Sequence, residues 1–274
     1  MKVAVVLPAF NEENNLTPLI TALVDVARRD ALTLQVIVVD DGSTDGTAAE
    51  LTELRRRLPL LNVVTHRVNQ GLAQALKTGI AAARESGCDA AVFMDSDLSH
   101  RPEDLRKLVA AMANGADVVL GSRFVPGGGM EGVPLWRRLV SQLGNGFGRR
   151  ALGLTLTDLT TGYRAMRIRV LDALALGEDG FTIQLESVVK AHAAGFRIVE
   201  VPIVLGTRKH GKSHMNYTAR LFTDYWRLLM EPRKLWKRYL TTNSQFLWLT
   251  AREMRARRFR QKDRQRDPVS DTSR

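Results

Sequence analysis

The sequence predicts an α/β protein with a mainly parallel central sheet covered by helices on both faces. Three observations carry that reading. Short apolar runs alternate with longer stretches of helical periodicity up to about residue 120, and such alternation means parallel strands joined by crossover helices. The runs VAVVL, VIVV and AAVFM are continuously apolar, as strands buried on both faces are. A chain of 274 residues, 45% hydrophobic and 25% charged, is also long enough to bury one large core.

Taken in order, residues 3–7 read as a first strand and 16–29 as a helix with Leu16, Leu19, Ile20 and Leu23 on one face. A second strand covers 36–39; Asp41, Gly42 and Ser43 then turn the chain, and a helix opens near Asp45. Residues 63–65 form a third strand, 72–83 a helix and 90–94 a fourth strand. Pro102 takes the favoured first position of a helix that closes at Asn114 and Gly115, before a fifth strand at 118–120. Beyond Gly121 the alternation loosens into a glycine-rich loop at 125–132, helices over 135–152 and 182–194, and a last strand over 198–205. Residues 216–250 have a helical pattern, and the arginine-rich tail from 251, ending DPVSDTSR, reads as disordered beyond Gln261.

Composition narrows the function. One cysteine, Cys88, can form neither an internal disulfide nor a multi-cysteine zinc site, and it suits a reducing compartment. The opening apolar run is stopped by Asn11, Glu12 and Glu13, so it reads as a strand rather than a signal peptide. No stretch reaches the ~18–20 apolar residues of a transmembrane helix. The net charge of +11 is lopsided: residues 1–204 carry 22 basic and 23 acidic side chains, residues 205–274 carry 18 and 6. The last quarter therefore calls for an acidic partner. Its segment 217–250 interleaves basic residues with Trp226, Trp236, Trp248 and many other aromatics and leucines, which favours an anionic membrane surface over nucleic acid; an amphipathic helix packed on its own domain is the alternative reading.

An open α/β sheet binds ligands at the carboxyl ends of its strands. Those ends read Pro8-Ala9-Phe10-Asn11-Glu12-Glu13, Asp40-Asp41-Gly42-Ser43, Asp95-Ser96-Asp97 and Gly121-Ser122-Arg123. On this reading four adjacent ends offer carboxylates and one guanidinium to a single crevice. Clustered carboxylates repel unless a cation sits among them. Two aspartates at i and i+2 can direct oxygens at Mg²⁺ or Mn²⁺.

Seven segments make the sequence resemble glycosyltransferase family two, and within it the dolichol- or polyprenol-phosphate mannose synthases. They are LPAFNEENNL, VVDDGSTDGT, NQGLAQALKTGI, FMDSDLSHRPEDL, VLGSRF, LTTGYRAM and the stretch from VEVPIV to HGKSHM, in that order over 1–215. The resemblance implies a GT-A nucleotide-sugar fold over 1–215; pattern and charge add amphipathic membrane-interface helices (216–250) and a basic tail (251–274). It also implies inverting, metal-dependent transfer of mannose from GDP-mannose to a polyprenyl (dolichyl) phosphate. Carried over by position, Pro8, Phe10, Glu12, Val39 and Asp41 would hold base and ribose. Asp95 and Ser96 would contact the nucleotide sugar, and Asp97 would be the main ligand of Mg²⁺ or Mn²⁺, with Asp95 beside it. Arg123 would bind near the sugar or acceptor phosphate, and Arg208 would close over it. His214 stands where the family usually has a lysine, and a neutral histidine brings no permanent charge. The expected place is the cytoplasmic face of a membrane, bound peripherally, with a separate membrane-anchoring protein left open as a partner.

Two rivals from other classes remain in view beside a UDP-sugar donor. Gly206-Thr207-Arg208-Lys209-His210-Gly211-Lys212-Ser213 fits the phosphate-binding pattern G-x-x-x-x-G-K-[ST] of P-loop NTPases. The basic tail would suit a nucleic-acid-binding protein. The first lacks a later strand to bring in a second acidic ligand, and the second is weakened by the aromatic interleaving of 217–250.

Overall fold

The computed structural model describes residues 1–210. Within them nine strands and seven α-helices follow one another, beginning β1 (Lys2–Ala9), α1 (Leu16–Arg29), β2 (Thr33–Asp40), α2 (Thr47–Arg57), β3 (Leu61–Thr65), α3 (Leu72–Glu85) and β4 (Ala90–Phe93). A 3-10 turn at Pro102–Asp104 leads into α4 (Leu105–Ala113), then β5 (Val118–Ser122), β6 (Gly129–Met130) and α5 (Leu135–Leu152). The chain continues through β7 (Arg164–Arg167), α6 (Ile168–Ala173), α7 (Thr182–Ala193), β8 (Ile198–Pro202) and β9 (Val204–Leu205). The expected segments 216–250 and 251–274, and the domain boundary at 215, lie outside the described residues.

Seven strands form one sheet in the order β3-β2-β1-β4-β7-β5-β8, while β6 and β9 pair separately. β1 lies between β2 and β4, parallel to both, with Val3 opposite Leu34 and Ala90. Its side chains alternate between two helical layers. Val3, Val5 and Leu7 join Leu16, Leu19, Ile20 and Leu108 in the core on one side. Val6 faces Gly79 of α3 on the other, where an added Cβ would come within 2.2 Å of Val6 Cγ1. Glycine there lets the helix lie directly on the sheet.

Two features depart from the sequence reading. β7, absent from that reading, is inserted antiparallel between β4 and β5, so the Arg123 strand end is not adjacent to the Asp95 end. The expected strand 198–205 is two: Pro202 ends β8 beside β5, and β9 turns away to pair with β6. Proline has no N–H to continue a ladder, which divides the run at that point.

Candidate active site

The ends of β1, β2 and β4 are tied together by hydrogen bonds before any ligand is considered. Asn11 adopts φ 55°, a left-handed conformation that asparagine tolerates better than most residues. Its side-chain oxygen accepts from the Thr44 N–H at 2.8 Å, and its own N–H donates to Ser43 Oγ at 3.0 Å. The Glu12 N–H donates to Thr47 Oγ1 at 2.9 Å. Ser96, buried, donates its hydroxyl to the Pro8 carbonyl at 2.8 Å, which ties β4 to β1.

Glu12, Asp97 and Arg208 meet at the centre. Both Arg208 Nη atoms donate to the Glu12 carboxylate, at 3.0 and 2.8 Å. Arg208 Nε stands 3.4 Å from Asp97 Oδ2, while Asp97 Oδ1 accepts from the Ser99 N–H and hydroxyl. Burial pushes the Glu12 carboxyl above its ordinary 4.5, against the opposing pull of Arg208 and Asn15. Asp95 keeps 45% of its side chain open to the crevice. The surrounding walls nonetheless desolvate it and push its carboxyl up; His100 opposes that shift and Asp97 adds to it. Gly162 leaves the room: a Cβ there would stand 3.1 Å from Asp95 Oδ1.

The other expected residues lie around this centre. Val39 is fully buried in the strand that carries Asp40 and leads to Asp41. Asp41 is also buried, and its carboxylate accepts from the Gln70 and Gly71 N–H groups at 2.9 and 2.8 Å and lies 2.6 Å from His66 Nδ1. It pins the 66–71 loop over the end of β2. Arg123 makes a two-point pair with the fully buried Asp158, at 2.6 and 2.7 Å, and also donates to Thr160 Oγ1 at 3.1 Å. Pro8 and Phe10 lie at the end of β1 as expected, and His214 lies outside the described residues. Sequence reasoning missed Asp158, His66 and His100, whose partners are between 5 and 35 residues away. The signal for Asp158 was a lone acid just before the quoted LTTGYRAM.

The residues present fit a divalent ion. Among the described residues no group of three or more His, Cys, Asp or Glu side chains could enclose a metal. Two hard carboxylates on one strand end, one open to the crevice, instead match an ion that completes its shell with substrate phosphate and water. Asp97 and Asp95 would hold it.

The chain matches the family model described as glycosyl transferase family 2 over residues 4–175. It belongs to that family. It is 41% identical over 217 residues to a polyprenol monophosphomannose synthase from Mycolicibacterium smegmatis, covering 77% of this chain and 80% of the relative. It is 37% identical over 219 residues to an undecaprenyl-phosphate mannosyltransferase from Micrococcus luteus, covering 79% and 88%. Among solved structures, glucosyl-3-phosphoglycerate synthase from Mycobacterium tuberculosis, in complex with Mn²⁺, UDP and phosphoglyceric acid, superposes with a TM-score of 0.60. That match has 23% identity over 89% of this chain and 80% of the other. The family-two chain described here is thus a glycosyltransferase, and its fold is of the GT-A type.

Proposed function

We propose that this glycosyltransferase moves mannose from GDP-mannose to a polyprenyl phosphate with inversion at the anomeric carbon. The observation that supports this most is the 41% identity to a polyprenol monophosphomannose synthase over four-fifths of that relative. The site chemistry agrees with it. A lipid phosphate is already anionic at neutral pH, so the acceptor needs no general base. What it needs is alignment with the sugar and cationic surroundings for the leaving diphosphate. Bound at Asp97 and Asp95, Mg²⁺ or Mn²⁺ would supply Lewis-acid neutralisation of that charge.

The chain's own residues do the rest. Pro8, Phe10 and the loop pinned by Asp41 form the floor and wall for the base and ribose. Arg208 holds Glu12 and faces Asp97, so it stands where a diphosphate bound at these carboxylates would be neutralised. Arg123, oriented by Asp158, is the second cation for phosphate. One acceptor oxygen forms a bond to C1 as the bond from C1 to the diphosphate oxygen breaks, and GDP leaves with the electron pair. Attack from the face opposite the leaving group inverts the centre.

The P-loop alternative is disfavoured by backbone direction. The Gly206 N–H, first in that pattern, donates to the Ser99 carbonyl at 2.8 Å, and the Lys209 N–H to the Asp97 carbonyl at 3.3 Å. Those amides lean on the β4 turn instead of forming an open cradle. The deciding assay supplies labelled GDP-mannose or UDP-glucose with polyprenyl phosphate and divalent metal, followed by lipid extraction. Label should enter the lipid from GDP-mannose. Incorporation from UDP-glucose alone would replace the donor, and none from either would refute the reading.

A further inference from the structure

The register of the sheet extends the site one strand beyond β4. β7 runs antiparallel to β4 with Phe93 opposite Arg164, so continuing that pairing past the strand ends brings Gly162 across from Asp95. The contacts agree: a Cβ on Gly162 would stand 3.1 and 3.3 Å from the two Asp95 carboxylate oxygens. It would also stand 3.4 Å from Nε2 of Gln184, in the first turn of α7. Gly162 does not take a positive φ, so the backbone does not call for glycine there; what the missing side chain provides is space. That space has a carboxylate on one side and an amide on the other. Gly162 and Gln184 also line one cavity, together with Phe93, Leu176 and Ile183.

Gln184 is held firmly there, yet its amide is unused. Arg164, only 2% exposed, donates to the Gln184 backbone carbonyl and, at 2.9 Å, to Ser187 Oγ, which itself donates to the same carbonyl at 2.8 Å. Buried Glu186 accepts from the Gly177 and Glu178 N–H groups at 3.0 and 2.9 Å and pairs with Lys190 at 2.5 Å. Those contacts fix the loop that leads into α7. The half-buried Gln184 side chain, by contrast, has no hydrogen-bond partner among the described residues. A fixed amide with its donor and acceptor both free suits a ligand group that also offers both, as a hydroxyl does.

Strand order says which ligand reaches it. Asp41 follows β2, Pro8 and Phe10 lie at β1, Asp95 and Asp97 follow β4, and β7 is the next strand along the sheet. A nucleotide sugar with its base at β2 and β1 and its diphosphate at the β4 carboxylates places the transferred sugar toward Gly162 and Gln184. We propose that Gln184 is a specificity-determining residue of the donor site, whose amide hydrogen-bonds a hydroxyl of the transferred hexose while Asp95 accepts from a neighbouring one. The bare Gly162 leaves both groups open to the same ring. A site built to hydrogen-bond a hydroxyl rejects a donor lacking it far more strongly than an apolar wall would. This role rests on the nucleotide-sugar reading of the site.

The test uses the full chain with Mn²⁺ and compares GDP, which has no hexose, with GDP-mannose. Gln184→Met removes the amide at similar volume. By calorimetry it should leave GDP affinity unchanged and weaken GDP-mannose about tenfold, the worth of one hydrogen bond. The kcat/KM for transfer to polyprenyl phosphate should fall by at least that factor. GDP-mannose analogues lacking single hydroxyls then locate the contact: one of them should serve the variant and the wild type equally. Equal affinity of variant and wild type for GDP-mannose would overturn the proposal. So would a parallel loss for GDP and GDP-mannose, the mark of a purely structural role, or a loss undiminished with every deoxy donor. Where a lowered thermal midpoint shows Gln184→Met to be misfolded, Gln184→Ala, whose alanine favours the helix, is read by the same comparisons. Failure of the donor reading shows separately. A wild type that transfers from UDP-glucose and ignores GDP-mannose sinks the GDP-mannose reading, and the comparison of UDP with UDP-glucose then decides Gln184.

Discussion

Asp158 and Arg123 together form the most demanding contact in the site. The aspartate has no solvent exposure and the arginine 13%, so neither charge can be left alone. Removing one member of such a pair typically costs about 3–5 kcal/mol, whereas replacing both with apolar groups of similar volume is often neutral. Asp158→Leu should therefore lower denaturant stability by about 3 kcal/mol. Adding Arg123→Met should restore most of it while transfer stays lost, since the cation proposed for phosphate is gone. Recovery of activity together with stability would show that Arg123 has only a structural role. Glu12 is the complementary case. Its folded pKa lies above 4.5 because burial outweighs Arg208. Between 4.5 and that raised value the folded chain holds more protons than the unfolded one, so this group's contribution to stability falls as pH rises. The stability of the wild type relative to Glu12→Gln should decline from pH 4.5 toward neutrality, as read from urea unfolding at a series of pH values. A difference that grows with pH would contradict the burial argument.

Elements show the same logic in packing. Gly79 lies inside α3, where alanine would ordinarily favour the helix by about 1 kcal/mol. Here a Cβ would stand 2.2 Å from Val6 Cγ1 on the neighbouring strand. Overpacking of that kind costs about 1–3 kcal/mol, so Gly79→Ala should lower the thermal midpoint despite its helix propensity. Val6→Ala/Gly79→Ala should recover part of the loss, a coupling readable from a double-mutant cycle; strictly additive effects would mean the helix simply shifts outward. The elements whose burial is local were legible in the sequence. Continuous apolar runs revealed β1, β2 and β4, and the spacing of Leu16, Leu19, Ile20 and Leu23 revealed α1. β7 was not legible, because Arg164-Ala165-Met166-Arg167 has charged ends and its burial comes from neighbours distant in sequence. Arg164 is only 2% exposed because the Thr161 and Gln184 carbonyls and Ser187 Oγ accept from its guanidinium. Chain order also cannot reveal that an antiparallel strand enters between β4 and β5. The acidic strand ends were readable for a related reason: each stands directly after its own strand. Asp158 is recognisable only beside Arg123, 35 residues away.

At the scale of the whole molecule, the segments that follow β1, β4 and β9 converge on one charge arrangement. Asp95 is desolvated and lies near Asp97, and Arg208 is shared between Glu12 and Asp97. A divalent ion carried in with a nucleoside diphosphate would relieve the repulsion between the two aspartates and join β1, β2 and β4 through one ligand. Ligand that binds only the folded chain stabilises it by RT ln(1 + [L]/Kd), about 2.7 kcal/mol at a hundredfold excess over Kd. GDP with Mn²⁺ should therefore raise the thermal unfolding midpoint by several degrees, and GDP in excess chelator by much less. Asp97→Asn should remove the metal-dependent part of the rise and keep the nucleotide-only part, because Pro8, Phe10 and the loop pinned by Asp41 remain in place. The variant loses one charge at a side chain that is only 17% exposed, so its ligand-free midpoint must be measured alongside. The comparison is the increment on adding metal and nucleotide, not the absolute temperature. An equal increment for the wild type with and without chelator would show that the β4 carboxylates serve the fold and Arg208 rather than a metal.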